Sequence, residues 1–158
     1  MKLKKIKKKT RVRIKNKDEY FLLMKLLEEA GYVWVRGENP TYFNDRNEYT
    51  DAEVVELLEN KKMYIDSSGI HGNEKPLRKV VKFEVGDTVR IREDLEEMNG
   101  KEGTVITTRM IEHAGETVKI RNVHMTWKKR MYILDFETYR WLWLKKWLVP
   151  VASRRKEN

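Results

Sequence analysis

Val85-Gly86-Asp87-Thr88-Val89-Arg90-Ile91-Arg92 sets a Gly-Asp turn directly before an alternating run, with Val89 and Ile91 on one face and Arg90 and Arg92 on the other. Period-two alternation of this kind predicts a half-buried β-strand. The pattern recurs downstream. Asn99-Gly100-Lys101-Glu102-Gly103 reads as a turn before the strand Thr104-Val105-Ile106, and Ala114-Gly115-Glu116 as a turn before Val118-Lys119-Ile120. Val80 to Phe83 precedes the series; Met131 to Phe136, Trp141-Leu142-Trp143 and Trp147-Leu148-Val149 complete it. Short strands at this spacing predict a small antiparallel β-barrel over residues 80–150.

Upstream the period changes. Thr10 to Ile14 alternates as a strand, and Asn16 followed by Glu19 has capping-box spacing. A helix is expected from there to Ala30, ended by Gly31, with Tyr20, Leu23, Met24 and Leu27 as its apolar stripe. Tyr32 to Val35 reads as a strand, and Thr50 with Glu53 opens a second expected helix to Glu59 that buries Val54, Leu57 and Leu58. Met63-Tyr64-Ile65 is a third strand. The chain therefore reads as α+β: an N-terminal β-α-β-α-β module over 10–65, a turn-rich linker over 66–79, and the barrel, with basic tails at 1–9 and 151–158.

The 158 residues include 34 Lys+Arg against 25 Asp+Glu, a formal charge of +9. Residues 1–17 hold ten of those bases and no acid, so the excess sits at the ends and not over the whole chain. The absence of Cys excludes disulfides and thiolate chemistry, and no apolar run has the length of a membrane span. A non-membrane, cytoplasmic protein is expected.

Gly86 to Leu95, Gly115 to Ile120, and Trp141-Leu142-Trp143 through Pro150 resemble a small barrel of the Src-homology or Mind bomb type that occurs in bacteriophage proteins of unknown role. The helix end at 26–32, Trp34 and Pro40-Thr41 are similar to a small phage module. Trp127 to Arg130 departs from that pattern. The resemblance implies a phage-encoded accessory protein with an anti-defence or host-takeover role, located in the cytoplasm of an infected bacterium.

Signals for catalysis are weak. His71, His113 and His124 share no metal-ligand spacing, and there is no P-loop, dinucleotide fingerprint or nucleophile elbow. Ser67, Ser68 and Ser153 fall in the expected linker and tail, and Asp135 and Glu137 make a poor acid–base pair. A non-enzymatic protein without cofactor or metal is expected.

Signals for binding are stronger. An anionic ligand needs cationic donors, and a base needs an aromatic face to stack on. Tyr32, Trp34 and Arg36 alternate onto one strand face, near Tyr42 and Phe43; that face is either a stacking surface or the side covered by the helix. Trp127, Lys128, Lys129 and Arg130 combine with Arg140, Trp141, Trp143, Lys145 and Lys146 in a second cluster. Trp141 and Trp143 share a face, so they are either buried together or presented together. Arg90 and Arg92 are expected on the solvent side. The candidate ligand-binding residues are thus Trp34, Arg36, Tyr42, Arg90, Arg92, Lys128, Arg130, Arg140 and Trp143. Three functions fit: sequestration of an anionic nucleotide-type ligand, RNA or DNA binding by the barrel and the basic N-terminal arm, or inhibition of a host or defence protein. A homo-oligomer is compatible with each.

Overall fold

The computed structural model describes residues 1–46, 49, 52–69, 72–101, 104–136 and 140–151. The chain is mixed α+β and divides between Phe83 and Glu84 into two compact units.

In the first unit, β1 (Lys2–Leu3) is followed by β2 (Thr10–Arg13), α1 (Lys17–Glu29), β3 (Val33–Trp34), a 3-10 turn (Pro40–Arg46), β4 (Val54–Leu57), β5 (Lys62–Ile65), β6 (Lys75–Pro76), α2 (Leu77–Val80) and β7 (Val81–Lys82). The main sheet has the order β3-β5-β4-β2-β6; β2–β4 and β4–β5 are antiparallel, β3–β5 and β2–β6 parallel. The helix starts as its sequence dictates. Asn16 Oδ1 accepts from the Glu19 amide at 2.9 Å, and Glu19 Oε2 accepts from the Lys15 amide. Gly31, at φ +80°, takes the left-handed position that ends it. Tyr20, Leu23, Met24 and Leu27 are buried, together with Val12, Val55, Leu57 and Met63 from the sheet.

Residues 54–57, expected as helix, are strand β4. All four are buried, which suits a strand covered on both faces, and the adjacent β-branched Val54 and Val55 favour it. A short apolar run does not distinguish the two states by period. Thr50 of the expected cap lies outside the described residues. The segment 66–79, read as a linker, contains β6 and most of α2 and is tied to β2: Arg11 reaches Asp66 at 2.6 Å and the Gly72 carbonyl at 3.0 Å. The 1–9 arm is not a free tail. Lys2 and Leu3 pair with Lys82 and Val81, the Lys4 amide donates to the Val80 carbonyl, and Lys9 Nζ meets Glu56 at 2.5 Å.

Glu56 is 3% exposed, a carboxylate inside a sheet. The register aligns Arg11, Glu56 and Tyr64 across β2, β4 and β5. The Tyr64 hydroxyl donates to Glu56, which pushes the phenol upward; Lys9 is likewise raised by its hydrogen bond to Glu56. These partners replace the water that burial removes.

The second unit is one antiparallel sheet of order β11-β10-β9-β8-β12, built from β8 (Thr88–Ile91), β9 (Thr117–Met125), β10 (Arg130–Leu134), β11 (Trp143–Leu144) and β12 (Leu148–Pro150). A 3-10 turn (Glu96–Met98) and α3 (Thr108–Ile111) lie between β8 and β9. Gly86, at φ +86°, makes the turn before β8. The sheet does not close into the expected barrel. Among the described residues no ladder joins β11 to β12, because a 3-10 turn (Lys145–Trp147) redirects the chain after two paired residues and β12 continues onto β8. The strand expected at 104–106 is absent; Asn99 Oδ1 takes the Ile106 amide that a ladder would have used. Residues 80–83 belong to the first unit.

Trp143, Tyr132, Leu134, Ile120, Val89, Ile91, Trp147 and Leu148 form the core. Trp143 is fully buried and packs edge-on to Trp147, with centroids 6.3 Å apart at 86°.

Replacing Asn16 by Ala is expected to lower stability by about 1 kcal/mol, measured by urea denaturation. Burial pushes the Tyr20 phenol up from 10.0 to about 12. The neutral phenol is therefore favoured in the native state. Its contribution is fully present below pH 10 and falls away as pH rises to about 12, which a phenolate absorbance titration alongside alkaline unfolding would register.

Candidate nucleic-acid interface

The core positions of β9 and β10 fix where their other side chains go. Tyr132 and Leu134 turn inward with Val123 and Ile120, their register partners. The opposite side carries Lys119, Asn122 and His124 from β9 with Met131 and Ile133 from β10. Ile133 pairs with Asn122 and Leu134 with Ile120, so Arg121 is an extra residue on β9, a β-bulge. In consequence Arg121 and Asn122 are consecutive and both exposed.

Beyond Met125 the hairpin closes with Thr126 to Lys129. The Thr126 amide donates to the Lys129 carbonyl at 2.9 Å, and Thr126 Oγ1 accepts from the Lys129 amide at 2.9 Å. This turn holds up Trp127, which is 88% exposed, with Lys128 Nζ 4.0 Å from its ring centroid. Arg130 Nη1 donates to Met125 Sδ at 3.6 Å, and its guanidinium lies 5.9 Å from the Tyr132 ring centroid. Residues 117–130 contain Lys119, Arg121, Lys128, Lys129 and Arg130 and no acid. The second unit thus carries a cationic hairpin with an open indole at its tip.

The sequence-derived site residues separate on inspection of their surroundings. Trp34 is 5% exposed, donates from Nε1 to the Pro40 carbonyl at 3.3 Å, and packs on Phe43 and Tyr49. It is core and cannot stack on a ligand. Tyr32 is buried with it, while Val35 points outward, so the strand face carrying the aromatics is the covered one. Arg36 is exposed in the turn that follows. Tyr42 is 47% exposed, with the Arg46 guanidinium 4.7 Å from its ring centroid. Trp143 is likewise core, with Trp141 half-buried and Leu142 facing out. Arg92 is committed to Asp94 through two hydrogen bonds of 2.7 and 2.5 Å, which raise its pKa. Arg90 is half-buried opposite Thr117. Lys128, Arg130 and Arg140 lie in the second unit, the first two on the hairpin.

Arg121 and Asn122 were not anticipated. The signal was present: Ile120-Arg121-Asn122-Val123 places two polar residues between two apolar ones, a break in alternation that marks a bulge. His71, Glu137 and Ser153 lie outside the described residues. Among the described residues no three His, Asp or Glu side chains gather as a metal set, and no helix is long and apolar enough to cross a membrane. His113 stacks on Phe136 at 4.2 Å and meets Glu116 at 3.0 Å, apart from His124 on β9.

No protein-family model matches this sequence, and no curated protein is significantly similar to it.

Trp127→Ala is expected to change stability by less than about 0.5 kcal/mol, whereas Trp143→Ala costs roughly 3–5 kcal/mol; paired denaturation curves test the contrast. In acrylamide quenching, the most accessible indole fluorescence should vanish with Trp127→Phe.

Proposed function

We propose that this protein is a non-enzymatic nucleic-acid-binding protein whose contact surface is the β9–β10 hairpin. The observation that carries the reading is Trp127: a large aromatic ring 88% exposed, braced by Lys128 and standing in a fourteen-residue stretch, 117–130, with five cations and no carboxylate. A free-standing tryptophan costs solubility and contributes nothing to the core, whereas an indole face stacks on any base and neighbouring ammonium and guanidinium groups meet phosphates. Exposed β-ribbons are a size that enters a nucleic-acid groove.

Capture of a free nucleotide in an aromatic-walled pocket has less support, because Trp34 and Trp143 are both in cores. The basic arm contributes Lys4, Lys5, Lys7 and Lys8 as exposed charges on a segment anchored at both ends.

Fluorescence anisotropy with a labelled oligonucleotide tests the reading. Binding should weaken steeply with salt. Trp127→Ala should reduce affinity roughly tenfold, in the range of about 1–3 kcal/mol for a stacked base. Lys128→Ala with Lys129→Ala should lower the slope of log K against log salt by roughly 1.5, for two lost phosphate contacts. Binding that ignores all three changes overturns it.

A further inference from the structure

We infer that the bulge in β9 builds a phosphoryl-binding seat, separate from the hairpin tip, in which Arg121 and Arg140 grip one phosphate. A cleft of about 220 Å³ is lined by Arg121, Asn122, Ile133 and Arg140. The ladder explains why two of these meet there. In a regular strand Arg121 and Asn122 would take opposite faces. The register shift between Ile133 and Leu134 lets both turn to the solvent side, with Ile133, the partner of Asn122, beneath them. Arg140 completes the lining.

The donors fit one chemistry. Two guanidinium groups supply forked N–H donors, the Asn122 amide adds more, and among the described residues no carboxylate lines the cleft. Three other arginines are already matched to carboxylates: Arg11 with Asp66 and Glu74, Arg13 with Glu74, and Arg92 with Asp94. Among the described residues no ion pair reaches Arg121 or Arg140. Two like charges converging on one cleft repel each other, and a dianionic or monoanionic phosphoryl group between them removes that cost. The apolar Ile133 side strengthens such a contact by limiting water. The volume is below the roughly 300–1,000 Å³ of pockets that enclose whole ligands, so the seat takes a single phosphoryl group.

Arg121 on β9 and Trp127 in the turn beyond it are six residues apart, a span of at most about 20 Å. A nucleic-acid strand bridging them needs roughly six nucleotides at about 3.4 Å of axial rise. The proposal rests on the hairpin reading only for the source of the phosphate. The alternative source, a free nucleotide, offers the same group.

Heteronuclear NMR of the arginine side-chain Nε–H signals in the full chain tests this. Inorganic phosphate, titrated at constant ionic strength against chloride, should shift the Arg121 and Arg140 signals together and saturate. Arg121→Ala should abolish the response at Arg140, with unchanged far-ultraviolet circular dichroism. Arg121→Lys, which keeps the charge and loses the fork, should weaken phosphate binding several-fold. A non-saturating drift equal to that in chloride, or an Arg140 response indifferent to Arg121→Ala, overturns the seat.

Adenosine 5′-monophosphate and an oligothymidylate of about ten nucleotides, long enough to span both points, separate the sources. Competition of the oligonucleotide with phosphate at these signals assigns the seat to a backbone. Competition by the mononucleotide alone assigns it to a free nucleotide. An oligonucleotide that binds and quenches Trp127 while both arginine signals stay still toward phosphate, mononucleotide and oligonucleotide alike overturns the seat and leaves the hairpin reading intact. Saturating phosphate shifts with no oligonucleotide binding sustain the seat and sink the hairpin reading.

Discussion

Alternation along β9 is the constraint from which the second unit follows. Ile120 and Val123 are driven inward beside Leu134 and Tyr132, Val118 sits half-buried opposite Val89, and the remaining side chains of the strand are sent to solvent. Because regular alternation cannot hold residues three apart, Ile120 and Val123, both on the core side, one of the two residues between them must be an extra one. The bulge at Arg121 is that addition. The same geometric need that seals the core therefore concentrates polar side chains outside it, and no separate device is required to expose Arg121 and Asn122.

The first unit depends on a different balance. Its sheet buries a carboxylate, Glu56, whose charge is tolerable only because Lys9 and Tyr64 reach it. That requirement draws the basic arm against the sheet. Arg11 and Arg13 are drawn in turn to Asp66 and Glu74, whose carboxylates are held low chiefly by hydrogen bonds from Ser68 and the Gly72 amide. Part of the N-terminal positive charge is thus consumed by structure. The hairpin's cations are different in kind, because residues 117–130 bring no acid with them.

The five tryptophans illustrate how little an aromatic count says about exposure. Trp34, Trp143 and Trp147 are buried, Trp141 is half-buried, and Trp127 stands in solvent. Trp141 and Trp143 sit on alternate positions with Leu142 between them, and hydrophobic burial could have taken either face. The larger rings went inward, where Phe136 and Trp147 meet them. The stacking role assigned to Trp34 and Trp143 fails for this reason, and the binding role passes to the one indole that the turn at Thr126 keeps out of the core.

What the sequence determined alone is what local chemistry determines. Asn16 and Glu19 start α1 and Gly31 ends it, because capping and positive φ are properties of a few adjacent residues. Strands β2 and β8 follow from alternation, and the concentration of bases at 1–17 is simple counting. What required the tertiary structure is everything decided by a distant partner. Val54–Leu57 is strand because β2 and β5 flank it. The arm is docked because β7 and Glu56 receive it. The second sheet stays open because Lys145–Trp147 turns the chain toward β8. Burial and pairing are free energies of contact between segments far apart in the chain, and a local pattern holds no record of which contacts win.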